Sequence, residues 1–234
     1  GKAYALSAEL GAFEEAVLQM ADKRGKVIGN DGGTLTLEYL TNTECQFIIS
    51  EEAKDWITLV EGRAVTLQKT SFNIAENASE ENRRGIVTVK STRSNLAVEY
   101  TILQGGTNTY AITEDRGNIP IGILSSNRQA TSEEHGLKNL VDNNMDTYFE
   151  ANANSQIDID WEGPYAVPIK NISYACNGGG YGLFWWTFHL STDGVKYDGL
   201  GWSLGHGYGG DASSAFMLNK EITARSKYYR FIID

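Results

Sequence analysis

The segment between residues 139 and 151 concentrates side chains that carry oxygen. Asp142, Asn144 and Asp146 alternate along it, and Thr147 follows directly. Carboxylate, amide and hydroxyl oxygens at this density can hold a hard cation, carry acid–base chemistry, or form a polar turn that bonds to its own backbone. The residue types alone leave these three interpretations open.

The spacing in this segment does not fit an EF-hand. Asp142, Asn144 and Asp146 match the first three ligand positions of that motif. At the sixth position, however, Thr147 replaces the Gly that the sharp turn requires, and at the twelfth Ala153 replaces the bidentate Glu. A hard-cation site of another geometry remains open.

No group of residues has the spacing of a known catalytic motif. The histidines, His135, His189 and His206, have no Ser or Cys nearby in a nucleophile motif. Asp158 and Asp160 lie on one side of a predicted strand, but they alternate with apolar residues, which predicts a solvated face. We therefore expect that the chain is not an enzyme.

Two stretches, 177–186 and 201–210, set aromatic residues among glycines. Glycine lets the backbone approach a ligand, and an aromatic ring offers the flat apolar face that a sugar can contact. The alternative is a locally packed loop that covers the end of a barrel. The candidate ligand-binding residues are Trp202, His206 and Tyr208, with Tyr181 and Trp185.

The charge of the chain excludes two classes of partner. The 234 residues carry a formal net charge of −10, both halves are acidic, and no Lys/Arg cluster occurs. Nucleic acid and anionic membrane surfaces attract positive charge, so both are poor candidates. No apolar run is long enough to span a bilayer. Contact with a membrane would require a lipid anchor outside this chain.

The composition divides the chain near Gly105-Gly106. Of the 25 aromatic residues 18 follow residue 104, and so do 17 of the 25 glycines. The division predicts an N-terminal segment (1–24), a first domain (25–104), a linker (105–120) and a second domain (121–234).

Both halves are predicted to be all-β. Short alternating runs between turns, such as Thr34 to Tyr39, predict a β-sandwich in the first half. The one helical pattern there is Ala12 to Ala21. In the second half, Thr131 and Glu134 fit a capping box for a short helical turn that buries Leu137, Leu140 and Val141. The alternating strands that follow favour a jelly roll.

The first half resembles the BACON domain family. The segments GGTLTLEYLTN, DWITL, SFNIAEN, RRGIVTV and VEYTILQ occur in the family's order over residues 25–104. The resemblance implies an immunoglobulin-like sandwich from a secreted or surface protein of gut Bacteroidetes. The family name suggests carbohydrate binding, but this half offers few aromatic residues for a sugar, which favours a spacer.

Residues 121–234 resemble a discoidin, or coagulation factor 5/8 type C, domain. LVDNNMDTYF, FHLSTDGVKYDGL and SKYYRFIID carry the resemblance. It implies a jelly roll, here lacking the family's final strand. In calcium-binding members the ion lies beside the first of these segments. The resemblance therefore implies a structural Ca²⁺ held by Asn139, Asp142, Asn144 and Thr147, with the carbonyl oxygens of the two asparagines as ligands.

These patterns together predict a non-catalytic carbohydrate-binding protein of the cell surface or periplasm. In this hypothesis the sandwich is a spacer that presents a glycan-binding jelly roll. The alternative hypothesis is a structural or adhesive module that binds protein or lipid.

Overall fold

The structure is a computed structural model of the 234-residue chain. It describes residues 16–21, 25–60, 68–117, 119–144, 146–152, 156–169, 173–174, 186–203, 216–217 and 225–233. Regular structure in these residues is almost entirely β, which confirms the predicted all-β fold class. Within the described ranges, no helix is long and apolar enough to cross a membrane.

Among the described residues of the first half, eight strands form two four-stranded sheets. The strands are β1 (Leu18–Met20), β2 (Gly25–Ile28), β3 (Gly33–Thr41), β4 (Cys45–Ile49), β5 (Ile57–Val60), β6 (Gln68–Ile74), β7 (Arg83–Ser91) and β8 (Ala97–Gln104). One sheet has the order β1-β3-β6-β5 and the other β2-β8-β7-β4. A 3₁₀ turn, Glu51–Ala53, precedes β5.

The core of this sandwich follows from period-two alternation. In β3, Leu35, Leu37 and Tyr39 are buried, while the residues between them face outward. They pack in one apolar cluster that includes Phe72 from the same sheet and Tyr100 from the other. Because every second residue of a strand lies on one face, the alternation read from the sequence defines this core.

The helix predicted from Ala12 to Ala21 is wrong over the part that the structure describes. Leu18–Met20 is a strand, antiparallel to β3, with Leu18 opposite Thr41. Met20 is buried and Gln19 is exposed, so the pattern has the period of a strand and not of a helix. Pairing with the open edge of β3 satisfies the backbone groups of this segment.

Three residues from the segments that resemble the BACON family, Gln104, Arg83 and Trp56, make contacts at the end of β8. Gln104 is fully buried; its amide nitrogen donates to the carbonyls of Gly29 (3.1 Å) and Ala75 (3.0 Å), and its oxygen accepts from Arg83 Nε (2.9 Å). The guanidinium of Arg83 lies over the ring of Trp56 at 4.5 Å. These residues are therefore structural, and they satisfy backbone groups where loops meet.

The second half contains a six-stranded and a two-stranded antiparallel sheet. The strands are β9 (Tyr110–Ile112), β10 (Gly122–Ser126), β11 (Ile157–Pro168), β12 (Ser173–Tyr174), β13 (Trp186–Ser191), β14 (Asp198–Ser203), β15 (Phe216–Met217) and β16 (Arg225–Ile233). The large sheet has the order β14-β13-β16-β11-β10-β9, and β12 pairs with β15.

The six-stranded sheet has an apolar face. Phe188, Tyr229 and Trp161 lie on it: Phe188 stacks on Tyr229 with ring centroids 5.4 Å apart, and Trp161 lies 5.7 Å from Tyr229. The ring of Trp161 also covers Gly122 and Gly163, where any side chain would overlap it. Residues one position along each strand point to the opposite, polar face.

The predicted capping box does not form. Thr131 Oγ1 donates to the carboxylate of Glu150 at 2.7 Å, so it is not available to cap a turn. A 3₁₀ turn, Leu137–Leu140, begins after Gly136, and Leu140 is exposed, contrary to the prediction that it is buried. Asn139 is buried there instead, and its side-chain amide donates to two backbone carbonyls, which satisfies this buried polar group.

The two halves pack against each other. Val27 and Leu103 of the sandwich share a buried apolar cluster with Ile121 and Ile123, which lie at the start of the second half. The segment predicted as a linker, 105–120, contributes β9 to the large sheet. The sandwich therefore covers one end of that sheet.

The other end of the large sheet lies away from the sandwich. At this end the termini of neighbouring strands are paired. The pairs are Ser126 with Ile159, Ile157 with Ile233, Ile233 with Trp186, and Thr187 with Ser203. We call this the distal end of the sheet. The segment between β10 and β11, which contains the Asp142 loop, begins and ends at this end, and so do the described termini of the β13–β14 hairpin, Trp186 and Ser203.

Candidate functional site

A polar cluster lies on the face of the large sheet that is opposite the aromatic core. Cross-strand register places His189 beside Arg230, and Arg230 beside Asp160. The next row toward the distal end pairs Thr187 and Asp158 with Ile232, which lies between them. The cluster consists of Asp158, Asp160, Thr187, His189, Tyr197 and Arg230.

Arg230 is the centre of the cluster. Its guanidinium donates to both oxygens of Asp160, from Nε at 2.6 Å and from Nη2 at 2.8 Å. A second carboxylate, that of Asp158, lies 3.3 Å from Nη1. The three side chains are only 15–27% exposed. Hydrogen bonding to Asp160 is the main cause that raises the pKa of Arg230 above its ordinary value, so the cation is permanent.

The guanidinium of Arg230 lies over the face of the Tyr197 ring. The carbon at the centre of that group lies 4.0 Å from the centroid of the Tyr197 ring, within the range of a cation–π contact. Burial, and next the negative charge of Asp160, raises the pKa of Tyr197 to about 12. The ring is thus neutral and held in place at physiological pH.

His189 carries a nitrogen whose hydrogen bonding is incomplete. Nε2 lies 2.8 Å from Thr187 Oγ1. Nδ1 is buried and has no hydrogen-bond partner among the residues that the structure describes. The ring packs on Gly199 of β14, where a Cβ would lie 3.2 Å from the imidazole.

The solvated face predicted for Asp158 and Asp160 is therefore wrong. Both carboxylates share the guanidinium of Arg230, which follows Asp160 by 70 residues in the chain. Strand alternation identified their common side correctly, but a strand partner so distant in sequence has no local signal. Tyr228 and Arg230 lie two positions apart in β16, so strand alternation places both on one face. This is the one sequence feature that could have indicated a cation opposite the two carboxylates.

The loop predicted to hold calcium brings three of its four ligand residues together. Thr147 Oγ1 lies 2.6 Å from Asp142 Oδ2 and 3.0 Å from the carbonyl oxygen of Asn144. The backbone of Asn143 is left-handed, with φ of 60°, and Asn144 N–H donates to Asp142 Oδ1 at 2.9 Å. The hydrogen bond from Thr147 is the main cause that lowers the pKa of Asp142 below its ordinary value.

Asn139 borders this loop with its side chain turned to other partners. The amide nitrogen donates to the carbonyls of Glu134 (2.6 Å) and Tyr148 (2.8 Å). The sequence hypothesis assigned only the backbone carbonyl of Asn139 to the metal, so the side-chain contacts are compatible with it. No group of three or more His, Cys, Asp and Glu with metal-site geometry occurs among the described residues. The predicted ligand set combines one carboxylate, that of Asp142, with neutral oxygens, and such a donor set suits Ca²⁺.

Four of the five predicted ligand-binding residues lie outside the described residues. These are Tyr181, Trp185, His206 and Tyr208. Trp202 lies in β14, where its backbone is described but its side chain is not. The described parts of the two glycine–aromatic stretches, Trp186 and 201–203, lie at the distal end of the sheet, because Thr187 pairs with Ser203.

Comparison with known proteins finds one family match, and it lies in the first half. Residues 46–104 match the BACON family model, described as a putative binding domain, N-terminal. The matched residues lie inside the range, 25–104, over which the sequence resembles that family. A search of curated proteins finds no match. The resemblance of residues 121–234 to discoidin domains stays a prediction.

Two solved structures are similar to the chain at low scores. One is a SusE-like protein, BT2857, at 14% identity and a TM-score of 0.35, with 94% of this chain and 89% of that chain covered. The other is a Bacteroides ovatus GH5 xyloglucanase in complex with a XXXG heptasaccharide, at 17% identity and a TM-score of 0.34. That match covers 43% of this chain and only 20% of the xyloglucanase.

Proposed function

We propose that the chain is a non-catalytic carbohydrate-binding protein of the cell surface or periplasm, in which a BACON sandwich is a spacer for a glycan-binding second domain. The spacer role is supported by the structural contacts of Gln104, Arg83 and Trp56, which join parts of the sandwich to one another. The contacts between the halves, through Ile121 and Ile123, support a fixed orientation of the second domain.

The observation that carries the proposal is the composition of the polar cluster and its position. A tyrosine ring, a guanidinium, two carboxylates and an imidazole lie together on one sheet face. Sugars need both hydrogen-bond donors and acceptors, next to rings that cover their C–H patches. The strand that carries Trp202 pairs with β13 beside this cluster. Trp202, His206, Tyr208, Tyr181 and Trp185 complete the proposed binding surface.

We further propose that Ca²⁺ stabilises the loop at the distal end. Asp142 and Thr147 would hold it through side-chain oxygens, and Asn139 and Asn144 through carbonyl oxygens. When bound, the ion would supply positive charge that fixes the loop. The proposal is supported by the closeness of three oxygens, because the Thr147 hydroxyl lies within 3.0 Å of both the Asp142 carboxylate and the Asn144 carbonyl.

A glycan array probed with the intact chain tests the proposed function. We expect retention of a restricted set of glycans, and loss of that retention in Tyr197→Ala, which removes a ring of the cluster. Failure to retain any glycan, combined with binding to vesicles or to a protein surface, would support the rival adhesive function instead.

A further inference from the structure

The polar cluster has more negative than positive charge. Two carboxylates, Asp158 and Asp160, face one guanidinium, and both lie within ion-pair distance of it. Arg230 therefore has its charge and its hydrogen bonds directed toward protein groups. A glycan carboxylate or sulfate would have to compete with Asp160 for a cation that already makes two short hydrogen bonds with it.

The surroundings of the cluster do not reverse this sign. Lys196 is exposed beside Tyr197, but Asp193 and Asp198 are exposed on either side of it. Asp193 accepts hydrogen bonds from the backbone N–H groups of Val195 and Lys196, which lower its pKa and keep it ionised. The whole chain carries a net charge of −10, so the long-range field has the same sign.

The cluster offers hydrogen-bonding groups that fit the hydroxyls of an uncharged sugar. The carboxylates accept hydrogen bonds, and the Thr187–His189 pair can donate or accept according to the tautomer. Hydroxyl groups can serve as donor and acceptor at once, and they bring no charge into the field of the two carboxylates.

We infer that the polar cluster selects uncharged glycans and rejects glycans that carry carboxylate or sulfate groups. The inference rests on the proposed function and specifies the chemical class of its ligand. An acidic sugar within a few ångströms of Asp158 and Asp160 is repelled, whereas a neutral sugar with the same ring geometry is not.

Pairs of polymers that share one backbone and differ in charge test the inference. Soluble starch, pullulan and galactomannan are each compared with a partly C6-oxidised form of the same polymer, in which some primary alcohols are carboxylates. The intact chain is run through gels that contain each polymer, and its retardation is measured at about 20 mM and about 500 mM salt, which differ strongly in screening. We expect at least one neutral polymer to retard the chain, and its oxidised form to bind about tenfold more weakly at low salt.

Two charge variants assign the effect to the cluster. Asp158→Asn removes one carboxylate and keeps its shape, so the discrimination against the oxidised polymer should fall severalfold. Glu133→Gln makes the same charge change at an exposed position outside the cluster and should leave discrimination unchanged. Equal or tighter binding of the oxidised polymer, or equal discrimination in Asp158→Asn, would overturn the inference and leave glycan binding intact. Retardation by none of the polymers would count against the proposed function itself, and the inference would fall with it.

Discussion

The guanidinium of Arg84, in the BACON sandwich, lies 2.9 Å from the carboxylate of Glu162, in the large sheet of the second half. The same guanidinium donates to the backbone carbonyls of Gly163 (2.8 Å) and Pro164 (3.3 Å). Asn82 donates to the other oxygen of Glu162 at 3.2 Å. These contacts lie beside the apolar cluster that the two halves share. Arg84 therefore adds polar contacts at the margin of that interface.

We expect Arg84→Ala to destabilise the whole chain by about 1–3 kcal/mol, the usual effect of removing a charged hydrogen-bond partner from a partly buried site. The side chains of Arg84 and Glu162 are 24% and 20% exposed, so solvent screens the pair only in part. Denaturant unfolding followed by tryptophan fluorescence measures the change. Arg93→Ala, at an exposed turn, is the control and should have an effect below about 0.5 kcal/mol. A stability of Arg84→Ala equal to that of the control would show that the contact does not hold the halves together.

Arg230→Met should destabilise the second half by about 2 kcal/mol at neutral pH, because it leaves Asp158 and Asp160 close together without a cation. Salt screens the repulsion between the two carboxylates, so the loss of stability should be smaller at high salt. Thermal unfolding of variant and wild type at about 20 mM and about 500 mM salt tests this. A difference between variant and wild type that does not change with salt would contradict the role of charge.

Tyr197 should ionise later than an exposed tyrosine. Its pKa is raised from 10.0 to about 12 in the folded chain, so its contribution to stability is complete below pH 10 and is lost as the pH rises toward 12. Burial also raises the pKa values of Tyr39 and Tyr229, so an absorbance titration of phenolate formation should show a late component whose amplitude is smaller, but not zero, in Tyr197→Phe. An equal loss of that amplitude in Tyr110→Phe, at a partly buried tyrosine outside the polar cluster, would show that the assignment is wrong.

Calcium should raise the melting temperature of chelator-treated protein, since an ion that binds only the folded state stabilises it by mass action. Asp142→Asn should abolish the rise. Asp146→Asn is the matched control, because Asp146 lies in the same loop, is exposed and is not one of the predicted ligands. The rise should also disappear at acid pH as Asp142 takes up a proton. If calcium leaves the melting temperature of the wild type unchanged, the loop is a polar turn.

The sequence predicted the strands of the sandwich well because their burial follows a local period. Leu35, Leu37 and Tyr39 lie where alternation places them, and Phe188 lies on the core face with His189 on the other. The short strand β1 lies within a segment, Ala12 to Ala21, whose apolar spacing fits a helix. Its identity depends on pairing with β3, which a local pattern cannot show.

The functional groups were predicted less completely because they are joined by pairing over long sequence distances. Asp160 and Arg230 form one ion pair from strands 70 residues apart, and Arg84 meets Glu162 across 78 residues. By contrast, Asp142 and Thr147 are five residues apart, and their contact follows from the loop that holds both. Only the second kind of relationship can be read from spacing.

Isothermal titration with a glycan that the array retains, carried out on the wild type, Trp202→Ala and Val195→Ala, tests the central claim most directly. Val195 is 80% exposed in the turn before β14, whereas Trp202 lies near the distal end of that strand. We expect Trp202→Ala to weaken binding at least about tenfold, since a ring that stacks on a ligand contributes a large part of the contact. Its melting temperature should change little, and Val195→Ala should bind as the wild type does. Unchanged glycan affinity in Trp202→Ala, or unfolding of that variant, would contradict a glycan site at the distal end of the large sheet.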